Sequence, residues 1–138
     1  METTYKTRED IGRLILRLLI GGLLLFHGIS KIIHGVAWMA GPLSALHLPG
    51  FIAYGVYVGE VVAPILLILG ILSRAAGLVV SVDLLMAVIL VAHTRLFTVS
   101  AGGGWGVELE AMFFFGGLAV FFFGAGRFSI GGEKGFWN

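Results

Sequence analysis

Cysteine is absent from this chain. Its absence excludes disulfides, thiolate metal sites, iron–sulfur clusters and c-type haem attachment, so any redox role uses another cofactor or another subunit. Charge is scarce as well: 12% of the 138 residues are Asp, Glu, Lys or Arg, against about 25% in an ordinary soluble domain. The net charge of +1 comes without a basic patch, which argues against nucleic acid as a partner. Proline is limited to three residues, and only Pro64 lies inside an apolar stretch. The first apolar stretch lacks an A-x-A-like end and is too long for a signal-peptide core, so it reads as an uncleaved first helix.

What fills the chain is hydrocarbon: 58% of residues are hydrophobic, with a mean hydropathy of +1.01. Four apolar stretches stand out, at about 11–33, 51–72, 75–94 and 105–124. Each reaches the roughly 20 residues that cross about 30 Å of bilayer, where only helices satisfy their own backbone. The expected fold is all-α, one domain over residues 1–138 forming an integral membrane four-helix bundle. Lys6, Arg8, Arg13, Arg17, Arg74, Arg127 and Lys134 fall at one end, and only Lys31 and Arg95 at the other. Positive charge stays inside, so both termini are expected in the cytoplasm. Arg13 and Arg17 are expected to snorkel toward headgroups. Trp38, Tyr54, Tyr57 and Trp105 suit an outer aromatic belt, and Phe136 and Trp137 an inner one.

Spans two and three are joined by little more than Ser73-Arg74, which makes them antiparallel neighbours. The link 34–50 carries Trp38, Met39, Leu43, Leu46 and Leu48 and is too apolar for a free loop; it is expected on the membrane surface or folded back as a lid. Residues 100–106 form a glycine-rich turn without the Lys of a phosphate loop. Gly55, Gly59 and Ala63 give span two a smooth face, used either for bundling within the chain or for a homodimer.

Ionisable groups inside these spans carry the functional signal, because hydrocarbon penalises each of them. His27, Lys31 and His34 share one face at the outer end of span one. Glu60 lies roughly 13 Å into span two. Pro64 follows it by four, which removes the helical partner of the Glu60 carbonyl and predicts a kink. His93 and Arg95 close span three, and Glu108 and Glu110 open span four, pointing about 200° apart so that one of them faces inward. Asp83 stands lower, with Arg17, Arg13, Ser81 and backbone groups as candidate partners. Arg17, Asp83 and Arg74 are assigned structural or ion-pair roles.

Several readings compete for this set. One is an interhelical clamp that fixes packing. A second is a quinone or quinol headgroup site, in which His27, Lys31, His93 and Glu60 supply hydrogen bonds and carry protons. A metal or haem site on His27 and His93 lacks a dense ligand cluster and a signature spacing, so no metal is assigned. A proton or small-solute path along Glu60 and Asp83 is the fourth.

The stretch Leu25-Phe26-His27-Gly28-Ile29-Ser30-Lys31, with Gly59-Glu60, Leu69-Gly70-Ile71-Leu72-Ser73-Arg74, His93, Gly103-Gly104-Trp105-Gly106-Val107-Glu108 and Gly126-Arg127-Phe128-Ser129-Ile130, resembles DoxX family membrane proteins in order and spacing. The resemblance implies a four-helix inner-membrane protein whose relatives include a thiosulfate:quinone oxidoreductase subunit and proteins tied to quinone, catechol or oxidative-stress resistance. Some relatives act with soluble redox enzymes, which implies a soluble redox partner beside the lipid bilayer. By position, the family's polar residues correspond to His27, Lys31, Glu60, Arg74, His93 and Glu108. The expectation is therefore an outward-facing pocket for a quinone-type headgroup, lined by His27, Lys31, Glu60, His93 and Glu108, in a protein that could be a subunit of a quinone-linked oxidoreductase. The alternatives are a non-catalytic scaffold or assembly subunit, and a small exporter of aromatic or quinone compounds.

Overall fold

The computed structural model describes residues 2–135 and 137–138, with side chains from Lys6 onward. Helix α1 (Glu2–His34) is continuous. It stops where Gly35, at φ +77°, donates its N–H to the Lys31 carbonyl, the left-handed closure that glycine makes without steric cost. A 3₁₀ turn (Ala37–Met39) leads into the short helix α2 (Ala40–Ala45). Helices α3 (Gly50–Leu69) and α4 (Ser73–Arg95) follow, and all three long helices are apolar enough to cross a membrane. Helix α5 (Glu108–Phe123) has 16 residues, roughly 24 Å. It starts later than the 105–124 stretch suggests, because Trp105 belongs to the preceding loop, where Val99 and Trp105 form an antiparallel bridge around Gly103 at φ +86°. No strand occurs among the described residues.

A core of Ile20, Leu24, Ala63, Leu67, Ala76, Val80, Leu84, Phe113 and Val120 joins the four helices. Large apolar residues cover the outside, among them Phe26, Val82, Leu85, Phe115 and Phe122. Lipid, not water, suits such a surface. Inside, the helices meet backbone to backbone at glycines, since hydrocarbon gives helices no hydrophobic drive to associate. A Cβ at Gly77 would lie 2.6 Å from the Gly117 carbonyl oxygen, and one at Gly21 would lie 2.8 Å from that of Pro64. Within the Gly55-Gly59-Ala63 face, Gly59 receives the Asp83 carboxyl and Ala63 is buried, so both pack within the chain, while Gly55 has open space around it.

The break expected before Pro64 takes a defined form. Pro64 cannot donate to the Glu60 carbonyl. The helix widens into a π turn over Val58–Val62, in which the Ala63 N–H reaches back five residues to Val58. The freed Glu60 carbonyl faces Gly28 of α1, where any Cβ would overlap it. A second wide turn occupies Val88–Ala92 of α4.

At the end of the bundle where α1 stops, residues 35–50 fold back onto it. Val36, Met39 and Leu43 form a second buried cluster with Ala53, Val56 and Leu90. At the opposite end, α3 closes at Gly70 (φ +70°) with the Ile71 N–H returning to the Leu66 carbonyl. Residues 124–135 and 137–138 cover that turn: Ile130 and Gly131 donate to Leu69 and Gly70, and Ser73 donates from its backbone to Asn138 Oδ1. Arg17 does not snorkel. It is 1% exposed, packs against Gly70, and donates to the Phe128 carbonyl at 2.7 Å. Arg74 forms no ion pair with an acid among the described residues; it caps α5 through the Phe121 and Phe122 carbonyls and binds the Asn138 main-chain oxygen. Arg13 and Arg127 gather around the buried Asp10. Trp137 lies half-exposed at this end, and Phe136, expected beside it, is outside the described residues.

The glycine contacts generate a paired expectation. Gly28→Ala should cost about 2 kcal/mol or more, because backbone must shift at the Glu60 carbonyl. Gly22→Ala, with nothing within 4 Å of the new methyl, should gain about 0.5–1 kcal/mol. Unfolding midpoints in one detergent compare the two; equal midpoints would contradict the contact.

Candidate functional site

Helix α1 presents Lys31 to α3, one turn beyond the Gly28 seat. The close approach permitted by Gly28 lets Lys31 Nζ donate directly to Glu60 Oε1. Glu60 is 4% exposed, and the Lys31 side chain is 22% exposed. The Tyr57 hydroxyl donates to the Lys31 carbonyl at 3.1 Å, tying the same two helices one turn outward. Asp83 enters from α4 with its carboxyl against Gly59, the neighbour of Glu60. It contacts neither Arg17 nor Arg13, and Ser81 spends its hydroxyl on the Gly77 and Phe114 carbonyls. Two buried carboxylate oxygens, Glu60 Oε2 and Asp83 Oδ2, have no hydrogen-bond partner among the described residues.

Two cavities meet at the Lys31–Glu60 pair. The larger, about 380 Å³, lies between α3 and α4 and is almost wholly apolar apart from Lys31, Glu60 and Asp83. Its rim includes the exposed aliphatic residues Val58, Val79 and Val82. The smaller, about 160 Å³, is lined by His27, Lys31, Glu60, Glu110 and Phe113. Trp38, carried in by the folded-back link, lines both. The His27 ring sits edge-on to Phe113, with centroids 6.0 Å apart.

Of the five residues expected at the pocket, His27, Lys31 and Glu60 come together. His93 and Glu108 do not. His93 has an exposed side chain on the last turn of α4 and lines neither cavity. The wide turn at Val88–Ala92 explains it: ten residues of regular helix would set His93 about 80° from Asp83, and one residue absorbed by the turn carries it to about 180°. Glu108 leans toward Gly104 in an outer groove. Glu110 is the inward glutamate; it lines the smaller cavity and is held by Arg95 Nη2 at 2.7 Å. Asp83, expected to stand apart with structural partners or to share a path with Glu60, lines the larger cavity and was not among the five pocket residues. His34 turns back on its own helix, with Nδ1 2.8 Å from the Ser30 carbonyl. No group of three or more His, Asp or Glu side chains is placed to hold a metal among the described residues.

Removing one partner of the buried pair is expected to cost more than removing both. Lys31→Met should destabilise by about 3 kcal/mol, because Glu60 stays buried and uncompensated, whereas Lys31→Met with Glu60→Leu should recover most of that loss. Unfolding of the three proteins in the same detergent measures it, and a single variant as stable as the wild type would refute an energetically coupled pair.

The DoxX family model matches residues 12–94. That stretch holds most of α1, all of α3 and α4 up to Thr94, and hence Lys31, Glu60 and Asp83. The chain is also similar to the Bacillus subtilis (strain 168) protein named "Putative oxidoreductase CatD", with 30% identity over 82 residues. The similarity covers 59% of this chain and 60% of that relative. No solved structure matches the chain. With the family match extending over more than half its length, and three helices fit to cross a bilayer, this chain belongs to the DoxX family of membrane proteins.

Proposed function

We propose that the protein binds a quinone-type headgroup in the larger cavity and serves as the membrane partner of a redox or quinone-detoxification system. The observation that carries this reading is the cavity itself. It offers about 380 Å³ of apolar space with charged groups confined to Lys31, Glu60 and Asp83. A substituted ring fits such a volume. The exposed aliphatic rim at Val58, Val79 and Val82 gives a lipid-soluble molecule a way in without crossing water. Lys31 and Glu60 are the polar contacts for the headgroup, and His27 and Glu110, across the pair in the smaller cavity, are the groups that exchange protons with the outer side.

The oxidoreductase named among the similar proteins supports a redox setting. In this reading the chain sits in a bacterial inner membrane with both termini inside. The cluster of Arg13, Arg17, Arg74 and Arg127 at the end sealed by residues 124–138 supports that orientation. The same basic end is the one offered to a soluble redox partner.

Binding of a short-chain quinone and its quinol to the protein in lipid nanodiscs tests the proposal. Wild type should bind at least one form saturably. Lys31→Met and Glu60→Gln should weaken that binding by about tenfold or more, the scale of one lost charge-assisted hydrogen bond. His27→Ala should leave affinity within about twofold, since His27 lies outside the larger cavity. Absence of saturable binding to a folded wild type leaves the Lys31–Glu60 pair as a packing clamp and removes the pocket reading.

A further inference from the structure

Three spaces run in series at the end of the bundle where α1 stops. The first is a groove of about 340 Å³ beside Arg95, Trp105 and Glu108. It faces solvent, since the Arg95 side chain is 52% exposed. The second is the smaller cavity and the third the larger one. Leu109 and Glu110 line both the groove and the smaller cavity, so they form the threshold between those two. Lys31 and Glu60 line both cavities, so their ion pair forms the partition to the third. The polar side chains along this route have surface of their own: 18% of Glu110 and 22% of Lys31 is accessible, and His27 is exposed. The two cavities differ in chemistry. The smaller has four ionisable side chains, His27, Lys31, Glu60 and Glu110, around about 160 Å³. The larger has three around about 380 Å³, with an aliphatic rim.

We infer that the smaller cavity is an aqueous vestibule, filled from the groove across Glu110, and that Lys31 and Glu60 part this water from the lipid-open larger cavity. A cavity holds water when it is roomy and offers each molecule two to four polar partners; at about 30 Å³ per molecule, several fit here. An apolar constriction of the same width dewets and closes. Glu110 therefore makes the threshold passable, because Leu109, the other side chain there, offers water nothing. Arg95 holds the Glu110 carboxylate at 2.7 Å. An ion pair this exposed is weak, and water competes for both partners. The Lys31–Glu60 pair then stands between two phases. A lipid-soluble molecule reaches it from one side, and water, with the protons and small hydrophilic ions that water carries, reaches it from the other. The vestibule does not depend on what occupies the larger cavity, so a failure to bind quinones removes the reading above and leaves this one standing.

The chain has no cysteine, so single introduced cysteines report water directly. Silver ion travels through water rather than lipid, and the thiolate it captures forms poorly in apolar surroundings. Three full-length proteins in lipid nanodiscs and chloride-free buffer make the comparison. His27→Cys places the thiol in the vestibule. Phe26→Cys places it one residue away, at a position 73% exposed on the apolar surface. Met86→Cys places it in the wall of the larger cavity alone. Silver modification, followed by mass spectrometry, should be at least about tenfold faster at position 27 than at either of the others. Adding Glu110→Leu to His27→Cys should slow it by about tenfold, whereas Glu110→Gln, polar and of like size, should leave the rate within about threefold. A rate at position 27 no greater than at position 26 overturns the inference. Equal rates at positions 27 and 86 overturn it as well, and so does a folded Glu110→Leu protein modified as fast as its parent. Should Glu110→Leu fail to fold, the three single-cysteine rates decide alone.

Discussion

Glu60 sits roughly a third to a half of the way through a helix that lipid would otherwise surround, and a carboxylate there needs a cation. Lys31 supplies it from another helix. The pair can form only if two backbones come very close, and that requirement reaches far into the sequence. Gly28 provides the approach on α1. Pro64 provides it on α3, by freeing the carbonyl that Gly28 meets and by opening the turn that carries Glu60. A charge, a glycine and a proline, spread over three places in the chain, therefore form one packing unit. The two cavities lie on either side of it because a wide turn around an ion pair fills space less completely than regular helix packing does.

The rest of the molecule fixes the two ends of that unit. At one end, the folded-back link buries Met39 and Leu43 and brings Trp38 over the pair. At the other end, a tail with little hydrophobic periodicity holds the α3–α4 turn through backbone donors and is itself held by Arg17 and Arg74. Both arginines donate to carbonyls instead of seeking carboxylates. The Arg74 guanidinium collects the carbonyls left open at the end of α5, whereas Arg17 makes a single bond, to Phe128, and keeps Nε and Nη1 buried without a partner among the described residues.

Much of this was legible in the residues alone. Long apolar runs gave the spans, Pro64 announced the break in α3, and the register of His27 and Lys31 against Glu60 anticipated their meeting. The failures share a physical origin. Helical phase is readable only while the pitch stays regular. The extra residue absorbed at Val88–Ala92 turned His93 away, and the start of α5 at Glu108 rather than Trp105 decided that Glu110 looks inward. Arg17 was misread as a surface cation because its cover, the segment around Phe128, carries no pattern that reveals where it folds. Asp83 was set apart because contacts between antiparallel helices depend on the vertical offset set by the Gly70–Leu72 turn, which residue spacing does not encode.

The widened turn in α3 also acts as a phase shifter. Removing one residue from Val58–Val62 would let the helix regain its ordinary pitch while Pro64 and everything below it kept their places in the core. The outer part would then swing by about 100°. Residues now facing lipid, such as Val58, would turn toward the core, and the lysine on α1 would face an aliphatic side chain in place of its acid. A single inserted residue thus separates two ways of wrapping the same helix, and only the longer one points a carboxylate inward.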